Sequence, residues 1–582
     1  MHLVMLETNG NQRYVFSSPR LRESIGASYQ LTRLRMWTED ALRDTRVAED
    51  STQWVSRSSG KVIVRVDTQD QATAVISHVT RRAITEAPGM DISGVWVDME
   101  TRTHVDAEAL KAVHARAAEY ALSRPPALAR FSQMPFLARA KDSVLPAAPP
   151  LGACDEAKED RTETLSLPAR VKRHLALTSK ENLLDRVRIE GGLPDDQLAR
   201  DVLMLERMLQ PIGPENSPAP SKENFPTLSR IAVIHIDGNG VGTIMKDLDA
   251  AMKRVPHGIF EKVLDCKPDD PDALRRFLLE VNVRLDDAVS QAFVTAWRKV
   301  AAWAEADAEA AGRTSTAVPV VPVILGGDDV TVITSGDYAL PFAAAYLEDY
   351  ECRTGEDDLL RHLSTLDDAE PDGGPMTAAA GVAITGRNYP FHIAYDLAER
   401  LVTMAKRVGK ASAPARSTLS YHVLFDSTVL DAEQVLHAYK SFTTRPFLLS
   451  DDDAPERKDQ TSWPTICQRL RAFRDHVSTE ADSGAEHFPR TRATRIRRLL
   501  SDAAQAELAG DSTRAGDLRE TAQREWDDAR DVLGADLTET IGDIRSLFDL
   551  LELADLLPDS YLGNLLPDVG ASTVSRPAED LA

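Results

Sequence analysis

The feature that most constrains the fold of this 582-residue chain is a pair of β-branched runs joined by a short glycine-bearing turn. The runs occupy residues 321–334, and the turn is Gly326-Gly327-Asp328-Asp329. This pattern is typical of a β-hairpin, because glycine permits the tight turn that connects two extended strands. Adjacent carboxylates at the tip are hard oxygen ligands of the kind that Mg²⁺ prefers. Taken alone, the stretch fits an acidic surface turn as well as a metal site.

A second apolar strand precedes the hairpin at residues 230–236 and ends in Asp237. Gly238, Asn239 and Gly240 follow it and open a helix. A strand that ends in a carboxylate, followed by free backbone N–H groups, is suited to holding metal and phosphate together. The glycine spacing differs from that of a dinucleotide-binding fingerprint. We therefore predict that Asp237 meets the hairpin tip, where two metal ions could align a ribose hydroxyl with an α-phosphate.

The third stretch is a buried strand predicted at residues 377–385, followed by an amphipathic helix predicted at residues 390–407. The apolar residues of the helix recur at helical spacing. Lys406 lies in its last turn, where a cation suits the helix dipole. The lysine could bind the phosphates of a nucleotide, or it could be an exposed surface charge.

The order of these motifs resembles a known family. A strand ending in Asp-Gly-Asn-Gly, a Gly-Gly-Asp-Asp hairpin, a strand and a helix ending in Ala-Lys resemble the palm domain of GGDEF-type nucleotide cyclases. The large polymerase/cyclase subunit of type III CRISPR effector complexes shares this palm, and the Asp-Asp ending, in place of Glu-Phe, favours that subunit. Residues 6–16 and 21–28 resemble its first palm, and residues 488–492 resemble the start of its C-terminal helical domain.

The resemblance implies a metal-dependent nucleotidyltransferase or cyclase that converts ATP to cyclic oligoadenylate second messengers in antiviral defence. The implied metal is Mg²⁺ or Mn²⁺, and the implied partners are ATP, other subunits of an RNA-guided complex and, through them, RNA. The implied catalytic residues are Asp237, Asp328 and Asp329. The implied metal ligands are Asp237, Ile236, Asp328 and Asp329. The implied nucleotide-binding residues are Gly238, Asn239, Gly240, Gly326, Gly327 and Lys406.

Two other functions stay open. The chain could be a non-catalytic scaffold subunit of an RNA-guided complex, although a scaffold has no need of a costly cluster of like charges. It could also be a nucleotide cyclase that works outside CRISPR systems.

Two departures from the family pattern bear on this choice. Asn239 replaces the second aspartate of the usual Asp-Gly-Asp turn, and the sequence contains no His-Asp dipeptide, so we expect no HD nuclease domain.

The N-terminal residues repeat the palm pattern in degenerate form. We predict strands at 2–6, 61–66 and 93–97 and helices at 21–42 and 71–84, an order typical of a ferredoxin-like α/β sandwich. Glu7-Thr-Asn stands where Asp237-Gly-Asn stands in the second palm, and residues 58–61 stand where its hairpin turn stands. Lys61 in place of a carboxylate repels a cation. We therefore predict a catalytically silent first palm, which either helps to hold a second nucleotide or only packs.

The predicted fold class is α/β (α+β), with two ferredoxin-like palm domains and helical inter-palm and C-terminal domains. Proline-rich segments mark the connectors, and no strand pattern persists beyond Asp426. Helices are predicted at 165–209, 272–308, 463–477, 490–509, 511–533 and 538–557. The predicted domains are 1–125 for the degenerate first palm, 126–228 for a helical linker domain with flexible connectors, 229–428 for the second palm, 429–570 for the C-terminal helical domain and 571–582 for a disordered tail.

Net charge and composition limit the partners and the cellular location that we expect for the protein. A net charge of −23 discourages non-specific binding to nucleic acid, so contact with RNA requires a local basic surface or a partner subunit. The densest C-terminal cluster of cations is either a helix face paired with nearby acids or a docking surface, and it comprises Arg490, Arg492, Arg495, Arg497 and Arg498. Isolated cysteines, of which Cys154 is the only one in the inter-palm region, argue against a zinc site. No apolar run is long enough for a bilayer, so we expect a cytoplasmic protein without a membrane partner.

Overall fold

The computed structural model divides the chain into two compact units. The first unit comprises Met1–Lys299, Thr316–His437 and Arg445–Leu449, and the second comprises Val300–Ser315, Ala438–Thr444 and Ser450–Ala582. The residues that the structure describes are 1–16, 18, 20–47, 53–58, 60–99, 102–125, 131, 134, 136–152, 157–176, 188–189, 192, 230–310, 312, 318–364, 373–386, 389–411, 414–424, 432–440, 442–451, 461–477, 490–533 and 541–564.

The first unit begins with a four-stranded antiparallel sheet in the order β2-β3-β1-β4. Its strands are β1 (His2–Asn9), β2 (Trp54–Ser58), β3 (Lys61–Val66) and β4 (Asp91–Asp98). Its helices are α1 (Asn11–Phe16), α2 (Leu21–Asp44), α3 (Gln69–Glu86) and α4 (Ala107–Ser123). The predicted ferredoxin-like order is confirmed. The sequence pattern missed β2, whose alternation of polar and apolar residues is interrupted by a bulge.

A six-stranded sheet in the order β10-β9-β8-β5-β7-β6 follows in the same unit. Its strands are β5 (Arg230–Gly238), β6 (Val320–Gly326), β7 (Asp329–Ser335), β8 (Ala378–Gly386), β9 (Thr418–Val423) and β10 (Phe447–Leu448). Strands β8 and β9 pair in parallel and the other neighbours are antiparallel. Four of these strands repeat the ferredoxin-like order as β8-β5-β7-β6, and the predicted α/β fold class with two such sheets is confirmed.

The helices that accompany this sheet include one of 38 residues. They are α6 (Val241–Lys246), α7 (Leu248–Arg254), α8 (His257–Leu264), α9 (Ala273–Ala310), α10 (Gly336–Glu356), α11 (Phe391–Lys410) and α12 (Ala432–Tyr439). Helix α5 (Lys158–Thr162) lies by the first sheet instead, where its Asp160 is 2.9 Å from Arg22 of α2. Helix α9 agrees with the helix predicted at 272–308. The expectation that no strand lies beyond Asp426 is wrong for β10, because a two-residue strand carries no detectable periodicity.

Helix α11 lies close against β8, the buried strand beside β5. Its apolar face includes the buried residues Leu397, Leu401 and Ala405, at helical spacing. Gly381 of β8 permits the close approach, since an added Cβ there would lie 2.2 Å from the carbonyl oxygen of Ala398. This contact sets the height of α11 above the sheet and thereby positions the residues of its last turn.

The second unit is helical. Its helices are α13 (Trp463–Val477), α14 (Arg490–Leu508), α15 (Ser512–Leu533), α16 (Ile544–Ala554) and α17 (Asp559–Asn564). Trp463 donates through Nε1 to the Tyr561 hydroxyl at 2.7 Å, and the fully buried Asp549 accepts from the backbone N–H of Thr444 at 2.8 Å. Buried polar groups of this kind are stabilised only when they are hydrogen-bonded. No described helix is long and apolar enough to cross a membrane.

Three expectations fall largely outside the described residues. Of the helix predicted at 165–209, residues 165–176, 188–189 and 192 are described, and residues 167–176 and 188–189 are helical. Residues 193–229 and the predicted tail at 571–582 are not described. Cys154 lies outside the described residues as well, and the described cysteines, Cys266, Cys352 and Cys467, form no disulfide. The proposed domain boundaries stay predictions.

Candidate active site

The carboxylates predicted from the sequence lie at one end of the six-stranded sheet. Asp237 at the end of β5 is directly opposite Asp329 at the start of β7. Residues directly opposite on antiparallel strands share one face of the sheet and are close neighbours. Asp328 precedes Asp329 in the turn, and its carbonyl oxygen accepts a hydrogen bond from the backbone N–H of Gly238 at 3.1 Å. The structure therefore brings all three predicted carboxylates to one pair of strand ends.

Glycine is required by the geometry of these turns. Gly327 at the hairpin tip has φ of 67° and Gly240 has φ of 86°, in the left-handed region that side chains disfavour. Gly238 is constrained by space instead, because an added Cβ would lie 3.1 Å from Cβ of Asp328 and 3.2 Å from Cγ2 of Val241. Gly326, the last residue of β6, pairs with Asp329 and closes the hairpin. Glycine at these positions therefore keeps side chains out of the turns that carry the carboxylates.

Lys406 reaches this site from the C-terminal part of α11, one turn before the helix ends at Lys410. Its ammonium group forms an ion pair with Asp237 and donates to the carbonyl oxygen of Gly238 at 2.9 Å. The side chains of Lys406 and Asp237 are only 19% and 29% exposed, so the pair is partly shielded from water. Lys406 therefore lies within the site. Its role in binding the phosphates of a nucleotide stays a prediction.

The environment of the two hairpin carboxylates, Asp328 and Asp329, disfavours their charged forms. Burial, and then the charge of Asp237, raise the pKa of Asp328. Burial, and then the charges of Asp328 and Asp237, raise the pKa of Asp329 to about 7. A nearby cation would favour their charged forms. The strand ends therefore carry an excess of negative charge that Lys406 neutralises only in part.

The donor set suits Mg²⁺ or Mn²⁺, which favour oxygen ligands. Asn239 adds a buried amide oxygen without a hydrogen-bond partner, while its nitrogen donates to Thr377 Oγ1 at 3.0 Å. The side chain of Ile236 is buried and apolar, so Ile236 could offer only its carbonyl oxygen. In the described part of the chain, no group of three or more His, Cys, Asp or Glu side chains is already arranged to hold a metal. The chemistry of the site fits a metal, and the ligand assignments stay predictions.

His235, two residues before Asp237, is a core residue. It is buried beneath the strand end, and its Nδ1 lies 3.1 Å from Oγ1 of Thr331. Burial lowers the pKa of His235 to about 4. The imidazole is therefore neutral at physiological pH, and it packs edge-on against the ring of Tyr395 at 5.2 Å between centroids.

A cleft of about 800 Å³ adjoins the carboxylates. Its lining comes from both sheets of the first unit and from α9, and includes Gln12, Arg57, Asn282, Asp328, Asp329 and Tyr395. Clefts of about 300–1,000 Å³ are typical of small-ligand sites. Asn282 Nδ2 and the hydroxyl of Tyr350, on α10 behind Gly238, are buried polar atoms without a hydrogen-bond partner. Sequence analysis missed these residues, because they lie on helices and strands whose patterns indicate only packing.

The arginine cluster of the second unit is paired with acids. Arg492 and Arg495 both approach Glu525, at 3.7 and 3.2 Å. Arg497 lies 3.0 Å from Asp555. Arg498 lies 3.9 Å from Asp502 in the next turn of α14, and the side chain of Arg490 is outside the described residues. This agrees with the interpretation of a paired helix face, and the docking surface stays a proposal.

Comparison with known proteins yields matches among solved structures. No protein-family model and no curated protein matches the chain. The Csm1–Csm4 cassette in complex with cA4 is 12% identical with a TM-score of 0.41, covering 83% of this chain and 63% of that chain. The same cassette with one ATP is 12% identical with a TM-score of 0.47, covering 96% and 70%. The type III-B Cmr-beta complex bound to cognate target RNA is 10% identical with a TM-score of 0.36, covering 69% and 68%. This chain thus spans less than two thirds of the first of these chains.

Proposed function

We propose that this protein is a metal-dependent nucleotidyltransferase that converts ATP to cyclic oligoadenylates, acting as the large polymerase/cyclase subunit of a type III CRISPR effector complex. One observation supports it above the others. Asp237 and Asp329 face each other on neighbouring strands with Asp328 beside them, and Asp328 and Asp329 line the cleft. This arrangement concentrates negative charge where the divalent metal ions of a triphosphate would bind.

The roles of the residues follow from their placement. Asp237, Asp328, Asp329, the Asn239 amide oxygen and the carbonyl of Ile236 would hold Mg²⁺ or Mn²⁺, which when bound supplies charge neutralisation at the phosphates. Lys406, which pairs with Asp237, would bind the phosphates as a point charge. Gly238, Gly240, Gly326 and Gly327 let the nucleotide approach the backbone.

The proposed reaction depends mainly on positioning and charge neutralisation. The 3′-hydroxyl oxygen of one nucleotide attacks the α-phosphorus of the next, the bond to the bridging oxygen breaks, and pyrophosphate leaves. The hydroxyl proton passes to solvent or to a neighbouring carboxylate. Other subunits, and RNA through them, control when this occurs, since the acidic chain discourages free RNA from binding directly.

The test is to incubate the purified protein with each NTP and Mg²⁺ or Mn²⁺, with and without RNA and partner subunits, and to identify the products by mass spectrometry. Cyclic oligoadenylates from ATP are the expected result. The variant Asp328→Ala/Asp329→Ala should make none and keep the wild-type circular dichroism spectrum. Full turnover by that variant would remove the hairpin from the reaction. No product from the wild type in any mixture would favour a scaffold subunit.

A further inference from the structure

A buried hydroxyl group lies directly behind the carboxylates, and the proposed reaction gives it no role. It belongs to Tyr350 on α10, a residue that is only 2% exposed. A Cβ added to Gly238 would lie 3.6 Å from this hydroxyl and 3.1 Å from Cβ of Asp328. The hydroxyl and Asp328 are therefore both neighbours of one point beside the backbone of Gly238.

The Tyr350 hydroxyl has no hydrogen-bond partner among the described residues. Most buried polar groups in proteins are hydrogen-bonded, so an exception calls for a physical explanation. Thr354, one turn later in the same helix, shows the usual arrangement, because its buried hydroxyl donates to the carbonyl oxygen of Tyr350 at 2.7 Å. The hydroxyl of Tyr350 is thus a donor that the apo fold leaves unused beside the site.

The charged groups around this hydroxyl are acidic. Burial, and then the charges of Asp328 and Asp237, raise the pKa of Tyr350. The phenol therefore keeps its proton at physiological pH and can donate a hydrogen bond. The ring of Tyr346 packs parallel to that of Tyr350, at 6.1 Å between centroids. A ring packed in this way has little freedom to move, so the place of its hydroxyl is fixed by the core.

We propose that Tyr350 is a positioning residue of the candidate metal site, whose hydroxyl donates a hydrogen bond to the charged carboxylate of Asp328 and holds it toward a divalent cation. A carboxylate has two oxygens, so it can accept from a donor with one and ligate with the other. Hydrogen bonds to a charged acceptor are stronger than those to a neutral one. The binding of a cation by Asp328 rests on the proposed function, whereas the donor behind Asp328 is a feature of the fold.

The test measures Mn²⁺ binding without nucleotide, by calorimetric titration into the full-length protein. Binding that Asp328→Ala/Asp329→Ala abolishes defines the site. Tyr350→Phe removes the hydroxyl alone and should weaken this binding about tenfold or more, as for other residues that orient metal ligands. The same variant should keep or raise the melting temperature of the metal-free protein, because a buried donor without a partner is removed.

The hydrogen bond itself has a spectroscopic signature. A phenol that becomes a hydrogen-bond donor absorbs at longer wavelength in the near ultraviolet. Adding Mg²⁺ should therefore shift the tyrosine absorption of the wild type, and the shift should be absent from Tyr350→Phe.

Tyr14→Phe is the matched control. Tyr14 is a buried tyrosine of α1 that does not line the cleft, and its hydroxyl already donates to Oε1 of Gln30 at 2.6 Å. This substitution should lower the melting temperature, because it leaves the buried Gln30 oxygen without that donor. It should leave the affinity for Mn²⁺ unchanged. The two tyrosine variants are thus expected to separate stability from metal affinity.

Equal Mn²⁺ affinity in the wild type and Tyr350→Phe, or a wild type without Mn²⁺ binding at Asp328 and Asp329, would overturn the proposal. A loss of affinity together with a fall in melting temperature like that of Tyr14→Phe would overturn it as well, since the hydroxyl would then support the fold. Turnover of NTPs separates this proposal from the proposed function. A wild type that turns over no NTP, yet loses Mn²⁺ affinity in Tyr350→Phe as expected, keeps the positioning role and rejects the nucleotidyltransferase. NTP turnover with unchanged Mn²⁺ affinity in Tyr350→Phe rejects the positioning role alone.

Discussion

The four-stranded sheet and the four matching strands of the six-stranded sheet have the same topology and opposite chemistry at the same place. In the six-stranded sheet, Asp237 faces Asp329 across β5 and β7. In the four-stranded sheet, Glu7 faces Lys61 across β1 and β3, and the two side chains form an ion pair at 2.9 Å. The facing residues of the four-stranded sheet neutralise each other, whereas the facing residues of the six-stranded sheet are both acidic. The difference teaches that the fold alone does not make the site.

The backbone around both strand ends is nearly the same. The N–H of Thr8 donates to the carbonyl of Gly60 at 2.8 Å, as that of Gly238 does to Asp328 at 3.1 Å. Each hairpin also has a bulge at the equivalent position, between Trp54 and Ser56 in β2 and between Pro322 and Ile324 in β6. The predicted match between residues 58–61 and the Gly-Gly-Asp-Asp turn is confirmed by these registers. The two strand ends therefore differ in their side chains and not in this backbone hydrogen bonding.

The largest effect is expected from making the second strand end resemble the first. Asp329→Lys places a cation opposite Asp237, as Lys61 stands opposite Glu7. ATP turnover should fall by at least about 1,000-fold, because charge stabilisation of the reacting phosphate is lost. The melting temperature should stay the same or rise, since an ion pair replaces repulsion. Pyrophosphate release and calorimetric melting measure the two effects, and activity within tenfold of wild type would contradict the comparison.

The next effect concerns Lys406, which has no counterpart in the ion pair of the first sheet. Lys406→Ala should weaken ATP binding about tenfold, as for the loss of one charge-assisted contact. The matched control is Lys410→Ala, because Lys410 is an exposed lysine near the end of the same helix. ATP titration followed by fluorescence or calorimetry gives both affinities. Equal affinities in the two variants would show that Lys406 acts as an ordinary surface charge and not as a ligand of ATP.

A pH dependence should distinguish the two strand ends. Since the folded pKa of Asp329 is raised to about 7, the folded state binds a proton that the unfolded state has already released above about pH 4. Unfolding free energy should therefore fall as pH rises from about 4 to 7, because the unfolded state binds fewer protons in this window. Urea unfolding with a chelator present measures the slope. Asp329→Asn should flatten it, and an unchanged slope in that variant would contradict the assignment.

The smallest effects are expected at the first strand end. Lys61→Met removes a partly exposed ion pair and should change the unfolding free energy by less than about 1 kcal/mol. Burial, and then Lys61, lower the pKa of His114 on α4, so the variant should raise that pKa in an NMR titration. Turnover should stay within about twofold of wild type if the first sheet is silent. A large loss would show that this strand end contributes to the reaction.

Local patterns predicted the sheets well and the cleft poorly. The strand ending in Asp237 and the hairpin at Asp328 and Asp329 were predictable, because apolar runs, glycines and carboxylates lie next to one another in the sequence. Arg57 and Arg275, which both line the cleft, were not, since they meet only through the fold, 218 positions apart in the chain. Arg57 has a buried donor without a hydrogen-bond partner and follows a bulge, and neither feature leaves a signal in residue order. Sequence therefore predicts carboxylates at strand ends better than it predicts the opposing surface of a cleft.

Gly381 shows how a residue without a side chain can govern a charge at a distance. There is no room for a side chain between β8 and the Ala398 carbonyl of α11, and the same helix carries Lys406 one turn before its end. Any larger residue at this position would lift the helix by the width of a methyl group or more. The ammonium would then lose its reach to Asp237 although every ionisable residue remained in place. The ion pair between Lys406 and Asp237 therefore depends on how closely α11 packs on β8 beneath the site.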